Sequence, residues 1–206
     1  MIRPDNPETR TLAAAIIKAG GLIAFRTDTF YGIGADPLNA EAVAKIKILK
    51  GREEGKPILL LIADFADAES LVASKPQAYE VLSRALWPGP LTIVVPAVSA
   101  LPVELTAGTG TVGVRLPNSE EVRQIVRECG GKLTATSANP SGSEAARSAG
   151  DVSGYFAAGL DLIVDGGEVA ATQASSVIDV TGLVPRLLRE GALSRSEIEK
   201  VLGRVE

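Results

Sequence analysis

The sequence predicts an α/β protein with a mixed sheet, because helical and strand patterns alternate from one end of the chain to the other. Apolar residues make up 46% of the 206 residues and charged residues 22%, which is typical of a globular protein. A chain of this length buries about 70% of its unfolded surface, so we expect a sizeable core. With no internal repeat or composition change, we expect one domain over residues 1–206.

The first half of the chain contains helices with clear start and stop residues. Asn6 and Pro7 begin a helix that ends at Gly20, and Asn39 begins a second helix that ends at Gly51. Apolar runs and periodicity predict strands over 22–25 and 57–62, and helices over 64–72 and 77–86.

The second half continues the alternation after the break at Trp87-Pro88-Gly89-Pro90. Asn118 and Glu121 form a capping-box-like start to a helix, and Ser194 and Glu197 open the last helix. The predicted strands are 91–95, 111–116, 132–136, 160–164, 176–180 and 185–188.

Charge and rare residues exclude several classes of protein. Lys and Arg number 21 against 25 Asp and Glu, giving a net charge of −4, which argues against coating of duplex nucleic acid. The absence of His excludes a Ser-His-Asp catalytic triad or a Cys-His catalytic dyad. The single Cys129 forms no internal disulfide, and we expect no protein-ligated metal. Without an apolar leader or a run of about 20 apolar residues, we expect a cytoplasmic protein with no membrane partner.

The sequence contains two glycine-containing motifs, and we interpret them differently. Residues 108–113 match G-x-G-x-x-G, but they lead into a strand, whereas a dinucleotide fingerprint opens a helix. We therefore interpret them as a turn.

The second segment carries Lys50, Arg52 and Lys56 at a helix end and in the loop that follows. Three cations on a short loop suit a polyphosphate, although cations at a helix carboxyl end also stabilise the helix dipole.

Two polar loops and one buried arginine are further candidates. Residues 27–34 and 136–142 follow apolar strands and are either ligand rims or ordinary turns. Arg115 lies within an apolar strand, where a guanidinium is costly unless a carboxylate or phosphate meets it. Its partner is either an internal Asp or Glu, or a ligand.

Taken together, these segments resemble one family, the YrdC-like threonylcarbamoyl-AMP synthases, over roughly residues 10 to 200. Each segment alone is weakly specific, but their order and spacing are highly specific. The matching segments are Thr27-Asp28-Thr29-Phe30-Tyr31-Gly32, Lys50-Gly51-Arg52, Lys56-Pro57, Trp87-Pro88-Gly89-Pro90-Leu91-Thr92, Val112-Gly113-Val114-Arg115-Leu116-Pro117, Thr136-Ser137-Ala138-Asn139, Ser176-Val177-Ile178-Asp179 and Leu188-Arg189-Glu190-Gly191.

The resemblance implies a fold and a reaction. The fold is a YrdC-like twisted mixed sheet with flanking helices around a deep, basic cavity, here in the short, single-domain form. The reaction joins L-threonine, bicarbonate and ATP into L-threonylcarbamoyladenylate, with release of diphosphate, for the N6-threonylcarbamoyladenosine modification of tRNA. Mg²⁺ would bind together with ATP, through the triphosphate, and no organic cofactor is expected. The product would pass to a tRNA threonylcarbamoyl transferase complex.

The resemblance also implies roles for individual residues. The residues expected to bind ATP are Lys50, Arg52, Lys56, Thr111, Ser137 and Arg189. The residues expected to bind threonine are Thr29, Tyr31, Arg115 and Ser176. Lys50, Arg52, Ser137 and Asn139 would serve catalysis. Arg26 and Val177 depart from the residues usual in the family at those positions.

Two alternatives remain at this point. The alternatives to the synthase are an RNA-binding module of this family without synthase activity and a relative acting on a related carbamoyl adenylate. The acidic composition and the retained K-x-R and S-x-N residues favour the enzyme.

Overall fold

The computed structural model describes residues 1–51 and 55–206, so Arg52 of the K-x-R segment lies outside the described residues. The described residues form an α/β fold, which confirms the predicted fold class. In chain order the strands are β1 (Ile2–Pro4), β2 (Ile23–Arg26), β3 (Tyr31–Gly34), β4 (Leu60–Ile62), β5 (Leu91–Pro96), β6 (Thr111–Arg115), β7 (Lys132–Thr134), β8 (Thr136–Ser137), β9 (Leu162–Asp165), β10 (Ser176–Asp179) and β11 (Arg186–Arg189). The helices are α1 (Pro7–Lys18), α2 (Ala40–Lys50), α3 (Gln77–Leu86), α4 (Val103–Thr106), α5 (Glu120–Glu128), α6 (Ala149–Tyr155) and α7 (Arg195–Leu202), with a 3₁₀ helix at Phe65–Ser70.

The strands divide into two mixed sheets. One sheet has the order β1-β9-β2-β3-β8, and the other has the order β11-β10-β5-β6-β4-β7. In the first sheet β9 runs parallel to β1 and β2, while β3 is antiparallel to β2 and β8. In the second sheet the parallel pairs are β10 with β5 and β4 with β6. The sequence predicts the mixture of strand directions but does not indicate the division into two sheets.

Local capping explains why several helix ends were predictable. The side chain of Asn6 accepts a hydrogen bond from the Thr9 amide at 2.9 Å, and Asn39 accepts one from the Ala42 amide at 3.1 Å. Gly51 ends α2 in the left-handed conformation with φ 58°, which a glycine adopts at low cost. These interactions lie within a few residues of each helix end, so the sequence reveals them directly.

Other elements differ from the sequence predictions. The predicted strand over 132–136 is two short strands, β7 and β8, which belong to different sheets. The segment 64–72 forms a 3₁₀ helix rather than an α-helix. The cap of α5 is Ser119, whose hydroxyl accepts from the Val122 amide at 3.3 Å, and not Asn118. The sequence analysis did not identify β1, α4 or α6.

Strand β3 was hidden by its two glycines, which we interpreted as part of a loop. Gly34 lies so close to its neighbours that an added Cβ would stand 2.8 Å from Leu133 Cδ2 and 2.9 Å from Phe25 Cε1. The sequence Tyr31-Gly32-Ile33-Gly34 is therefore a buried strand in which glycine permits close packing.

Both faces of β2 are buried, which explains its continuous apolar sequence. Ala24 belongs to a large core that includes residues of β4, β5 and β6, whereas Ile23 and Phe25 face a second core formed with α1 and α5. In the part of the chain that the structure describes, no helix is both long and apolar enough to span a membrane.

Candidate functional site

A cavity of about 540 Å³ is lined by residues from both sheets. The five-stranded sheet contributes β3 and β8, and the six-stranded sheet contributes β5, β6, β10 and the end of β11. Of the residues predicted to bind substrates, those that line this cavity are Thr29, Tyr31, Thr111, Arg115, Ser137 and Arg189.

The floor of the cavity is one face of the six-stranded sheet. On β5 the lining residues are Thr92 and Val94, while the intervening Ile93 is fully buried in the core. On β6 the lining positions are 111, 113 and 115, while 112 and 114 are in the core. This alternation follows from the two-residue period of a strand, which sends successive side chains to opposite faces.

Strand register fixes the order of side chains across this floor. Val177 pairs with Arg189 on one side and with Thr92 on the other. Thr92 in turn lies beside Arg115, one residue beyond the pair formed by Ile93 and Val114. The row therefore runs Arg189, Val177, Thr92, Arg115. In this row the two arginines lie three strands apart, and the hydroxyl of Thr92 lies between them.

Arg115 is 3% exposed and has an internal carboxylate partner. Its Nη2 donates to Asp28, its Nη1 donates to Thr29 Oγ1 at 3.1 Å, and its Nε donates to the Gly89 carbonyl at 3.3 Å. A guanidinium has five N–H groups, so two remain for a ligand in the cavity. Asp28 is therefore the internal carboxylate that the sequence analysis gave as one of two possible partners of Arg115. The Arg115 side chain also lines the cavity.

Arg189 lies at the rim of the cavity and is held by main-chain contacts. Its Nε and Nη2 donate to the Ser175 carbonyl at 3.0 and 2.8 Å, and Nη2 also approaches Ser175 Oγ at 3.3 Å. Partial burial, followed by the charge of Arg115, lowers the pKa of Arg189 from its ordinary value. The guanidinium stays charged at neutral pH, because an arginine pKa starts so high.

The loop after β2 is organised by Thr27. Its hydroxyl donates to the Phe30 carbonyl at 2.6 Å and accepts from the amides of Thr29 and Phe30. Tyr31 follows, and its hydroxyl donates to the Gly167 carbonyl at 2.8 Å. Burial, followed by the negative charge of Asp165, raises the pKa of Tyr31 to about 12. The Tyr31 hydroxyl therefore keeps its proton at neutral pH.

Lys50 meets the S-x-N segment directly. Its buried ammonium donates to the main-chain carbonyls of Ser137 and Asn139, the latter at 2.5 Å. The main-chain carbonyl of Lys50 also accepts from the Ser141 amide at 3.0 Å. The end of α2 thereby fixes the loop that carries Ser137 into the cavity.

The side-chain amide of Asn139 is hydrogen-bonded within this loop through its nitrogen. Its Nδ2 donates to the carbonyls of Pro140 and Ser143 at 2.9 and 2.7 Å, whereas its buried Oδ1 has no hydrogen-bond partner in the part of the chain described. Asn139 and Lys50 are not among the residues that line the cavity, and the same is true of the exposed Lys56, although the adjacent Pro57 is.

Ser176 lies on the opposite face of β10 from the cavity. Its hydroxyl donates to the Leu193 carbonyl at 2.5 Å and accepts from the amides of Gly191 and Leu193. The hydroxyl that lines the cavity belongs to Ser175, which is 3.0 Å from Thr92 Oγ1. Sequence reasoning missed Ser175 and Thr92. The available signal for Thr92 was a polar residue within the otherwise apolar run 91–95.

Asp179 is the carboxylate among the described residues that line the cavity. Its Oδ1 accepts from the amide and hydroxyl of Thr181, at 2.9 and 2.6 Å. In the described ranges 1–51 and 55–206, no three His, Cys, Asp or Glu residues are grouped so that they could hold a metal ion. The cavity therefore combines two guanidinium groups, several hydroxyls and apolar walls, which suits an anionic ligand with an apolar part.

Comparison with known proteins identifies relatives of the whole described fold. The family described as "Telomere recombination", which groups Sua5, YciO and YrdC, matches residues 15–191. The chain is 40% identical over 194 residues to the threonylcarbamoyl-AMP synthase of Pyrococcus abyssi, covering 94% of this chain and 57% of that protein. It is 37% identical over 196 residues to the enzyme of that name from Bacillus subtilis, covering 93% and 56%. The chain thus spans little more than half the length of these relatives.

A solved structure shows the same fold. The crystal structure of P. abyssi Sua5 complexed with L-threonine matches with a TM-score of 0.93 and 38% sequence identity, over 100% of this chain and 61% of that one. The family match over most of the chain, together with this structural similarity, confirms the resemblance drawn from the T-D-T, K-x-R and S-x-N segments. This chain belongs to the Sua5/YciO/YrdC family.

Proposed function

We propose that this chain catalyses synthesis of L-threonylcarbamoyladenylate from L-threonine, bicarbonate and ATP. The observation that carries the proposal is the single cavity into which Thr29, Arg115, Ser137 and Arg189 all project. These residues come from four separate segments of the sequence, and each belongs to a segment on which the resemblance to the family was drawn. The relatives named threonylcarbamoyl-AMP synthase, and the related structure complexed with L-threonine, support the substrate class.

The reaction joins three reactants in two balanced steps. The threonine amine attacks the carbon of bicarbonate, which forms an N-carboxylate and releases water. An oxygen of that carboxylate then attacks the α-phosphorus of ATP, and the bond to the bridging oxygen breaks to release diphosphate. The steps need alignment and charge neutralisation more than a side-chain proton shuttle, which suits a chain without His. Alignment of reactants can itself offset about 7–11 kcal/mol of a barrier.

On the threonine side, we assign Arg115 to the amino-acid carboxylate through its two remaining N–H groups, with Thr29 beside it. Tyr31 shapes the same wall, and its hydroxyl holds the 165–167 loop. Ser176, whose hydroxyl holds the 191–193 segment, would act by positioning that segment. A planar fork matches a carboxylate better than an ammonium does, so lysine is a poor substitute for Arg115.

On the nucleotide side, we assign the phosphates to Ser137, Arg189, Arg52 and Lys56, with Thr111 near the nucleoside. Lys50 and Asn139 hold the loop that presents Ser137. Mg²⁺ would be carried by the phosphate oxygens and water, as it prefers, and would neutralise phosphate charge. The donor set fits this arrangement, because the described lining offers one carboxylate, Asp179, and no metal-binding cluster.

The product would pass to a transferase complex that modifies tRNA, in the cytoplasm. We test the synthase proposal by incubating the protein with ATP, Mg²⁺, threonine and labelled bicarbonate, and by detecting the carbamoyl adenylate by mass. Omission of threonine is the control. Diphosphate release that depends on threonine and bicarbonate is expected. An RNA-binding module without activity would instead bind structured RNA in a salt-dependent manner and release no diphosphate.

A further inference from the structure

The Tyr31 hydroxyl is held by the turn that follows β9, formed by residues 165–167. It donates to the Gly167 carbonyl at 2.8 Å and accepts from the Gly166 amide at 3.2 Å. Gly167 has a φ of 83°, a left-handed conformation that glycine reaches at low cost. The three residues of the turn are not among those that line the cavity, whereas Tyr31 is. The turn therefore meets the cavity wall through Tyr31.

Asp165 closes this turn. Its Oδ1 accepts from the Gly167 amide at 2.9 Å and lies 3.2 Å from the Tyr31 hydroxyl. An aspartate that accepts from the amide two residues further on is a common way to shape a turn. The main-chain carbonyl of Asp165 also accepts from the Asp5 amide at 2.8 Å, which ties the turn to the segment after β1. The carboxylate therefore fixes the residue whose carbonyl receives the phenol proton.

The side chain of Arg26 packs against the same turn. Arg26 and Tyr31 are paired in register across β2 and β3, so their side chains project from the same face of the sheet. A Cβ added to Gly166 would stand 3.0 Å from Arg26 Cβ and 3.1 Å from Arg26 Cδ. The absence of a side chain at Gly166 therefore gives the arginine stem the space in which it lies against the turn.

The main chain of Tyr31 is held by other contacts. Its amide donates to the Ala146 carbonyl at 3.0 Å, and its carbonyl accepts from the Ala138 amide at 2.8 Å. Neither contact involves the ring or Asp165. A change at Asp165 is therefore expected to leave the backbone of β3 in place and to alter the position of the fully buried ring.

We propose that Asp165 is a positioning residue for the ring of Tyr31, an inference that rests on the proposed function because Tyr31 is assigned there to the threonine site. Asp165 acts through the turn and touches no substrate. It holds Gly167, the Gly167 carbonyl holds the phenol, and the ring forms part of the wall on the threonine side. Such contacts matter because a displacement of about 1 Å in a site can cost up to about a hundredfold in rate.

Substitution of Asp165 tests the proposal by its effect on two substrates. Asp165→Ala removes the acceptor of the Gly167 amide, and the exposed position of Asp165 lets the variant fold. We expect the KM for threonine to rise about fivefold or more and the KM for ATP to stay within about twofold. Asp165→Asn keeps an acceptor oxygen and should recover most of the threonine affinity. Equal increases in both KM values would overturn the assignment, as would an Asn variant as impaired as the Ala variant.

A second background shows whether Asp165 acts through the phenol. Tyr31→Phe keeps the ring but removes the hydroxyl that the turn holds. In this background, Asp165→Ala is expected to change the KM for threonine by less than about twofold, because two residues that act through one contact are not additive. The full effect of Asp165→Ala in the Tyr31→Phe protein would contradict the proposal.

Asp161 provides a matched control at the other end of β9. It is also exposed, and its Oδ2 accepts from the Leu22 amide at 2.8 Å. Asp161→Ala is expected to lower the midpoint of urea unfolding at least as much as Asp165→Ala does, and to leave both KM values within about twofold of wild type. A rise in the KM for threonine as large as that of Asp165→Ala would assign the effect to lost stability and overturn the positioning role.

A spectroscopic measurement separates this inference from the proposed function. The chain has three tyrosines, so labelling with ¹³Cζ-tyrosine gives three signals, and Tyr31→Phe identifies that of Tyr31. Because this carbon reports the hydrogen bonds of the phenol, Asp165→Ala is expected to shift the Tyr31 signal and to leave those of Tyr79 and Tyr155 in place. An unshifted Tyr31 signal would contradict the positioning role, whether or not the protein makes the adenylate. A shifted signal in a protein that makes no adenylate would preserve the contact and count against the synthase.

Discussion

Asp28 and Arg115 form an ion pair that joins the loop after β2 to the end of β6, across 87 residues of sequence. The side chain of Arg115 is 4% exposed and that of Asp28 is 14% exposed, so the pair is largely removed from water. The second oxygen of Asp28 accepts from the Asn118 amide at 3.1 Å. One carboxylate thus fixes both the guanidinium that faces the cavity and the segment that leads into α5.

Replacement of Arg115 tests whether it holds the amino-acid carboxylate. Arg115→Lys keeps the charge but loses the planar fork, so we expect the KM for threonine to rise about tenfold and the KM for ATP to change less than about twofold. Steady-state kinetics with each substrate varied in turn provide the measurement. Equal increases in both KM values would place Arg115 elsewhere in the reaction.

Asp28 is expected to act as a positioning residue for Arg115. Asp28→Asn leaves a buried guanidinium without its counter-ion, which we expect to lower the free energy of unfolding by about 1–3 kcal/mol. We also expect a higher KM for threonine, because the fork is no longer held in one orientation. Asp28→Glu should recover much of both losses. The exposed pair Arg84–Glu80, with its atoms 4.0 Å apart, provides the control Glu80→Gln, which should change stability by less than about 1 kcal/mol.

Lys50 is expected to stabilise the protein as well as to support catalysis. Its ammonium is buried and donates to two main-chain carbonyls of the Ser137–Asn139 segment. Lys50→Met leaves these carbonyls without that donor, and we expect a loss of about 2–3 kcal/mol in urea unfolding. The exposed Lys18→Met serves as the comparison and should be nearly neutral. A Lys50 variant of wild-type stability that had lost only ATP affinity would instead assign Lys50 directly to the phosphates.

Arg52 lies outside the described residues, and its role stays a prediction from the sequence. Arg52→Ala is expected to reduce adenylate formation by at least about a hundredfold, because preorganised cations at a reacting phosphate commonly contribute that much. Thermal unfolding should be unchanged. Turnover at the wild-type rate would remove Arg52 from the mechanism.

Cys129 is expected to react slowly in the folded protein. Burial, followed by the charge of Glu128, raises the pKa of its thiol to about 12. The thiolate is the reactive form, so at pH 8 nearly all of this thiol is protonated and a thiol reagent should modify it far more slowly than in urea. Equal rates of modification in the native and unfolded states would show that the thiol is accessible and that its pKa is not raised.

Much of the helical framework could be predicted because its determinants are local. Asn6, Asn39 and Gly51 act on amides and carbonyls within a few residues of themselves, and their positions agree with the structure. Strand β3 escaped prediction because Gly34 is required by close packing against Phe25 and against Leu133, and Leu133 is distant in sequence.

The sequence by itself determined the α/β class, the ends of helices such as α1 and α2, and the family, since composition, capping and the order of motifs can be read along the chain. Only the tertiary structure decided which face of each strand meets the cavity. That choice places Ser175 rather than Ser176 in the site, because a shift of one residue along a strand reverses the side chain's direction. It also decided that Asp28 neutralises Arg115, since two residues so far apart in the chain meet only when both sheets are assembled.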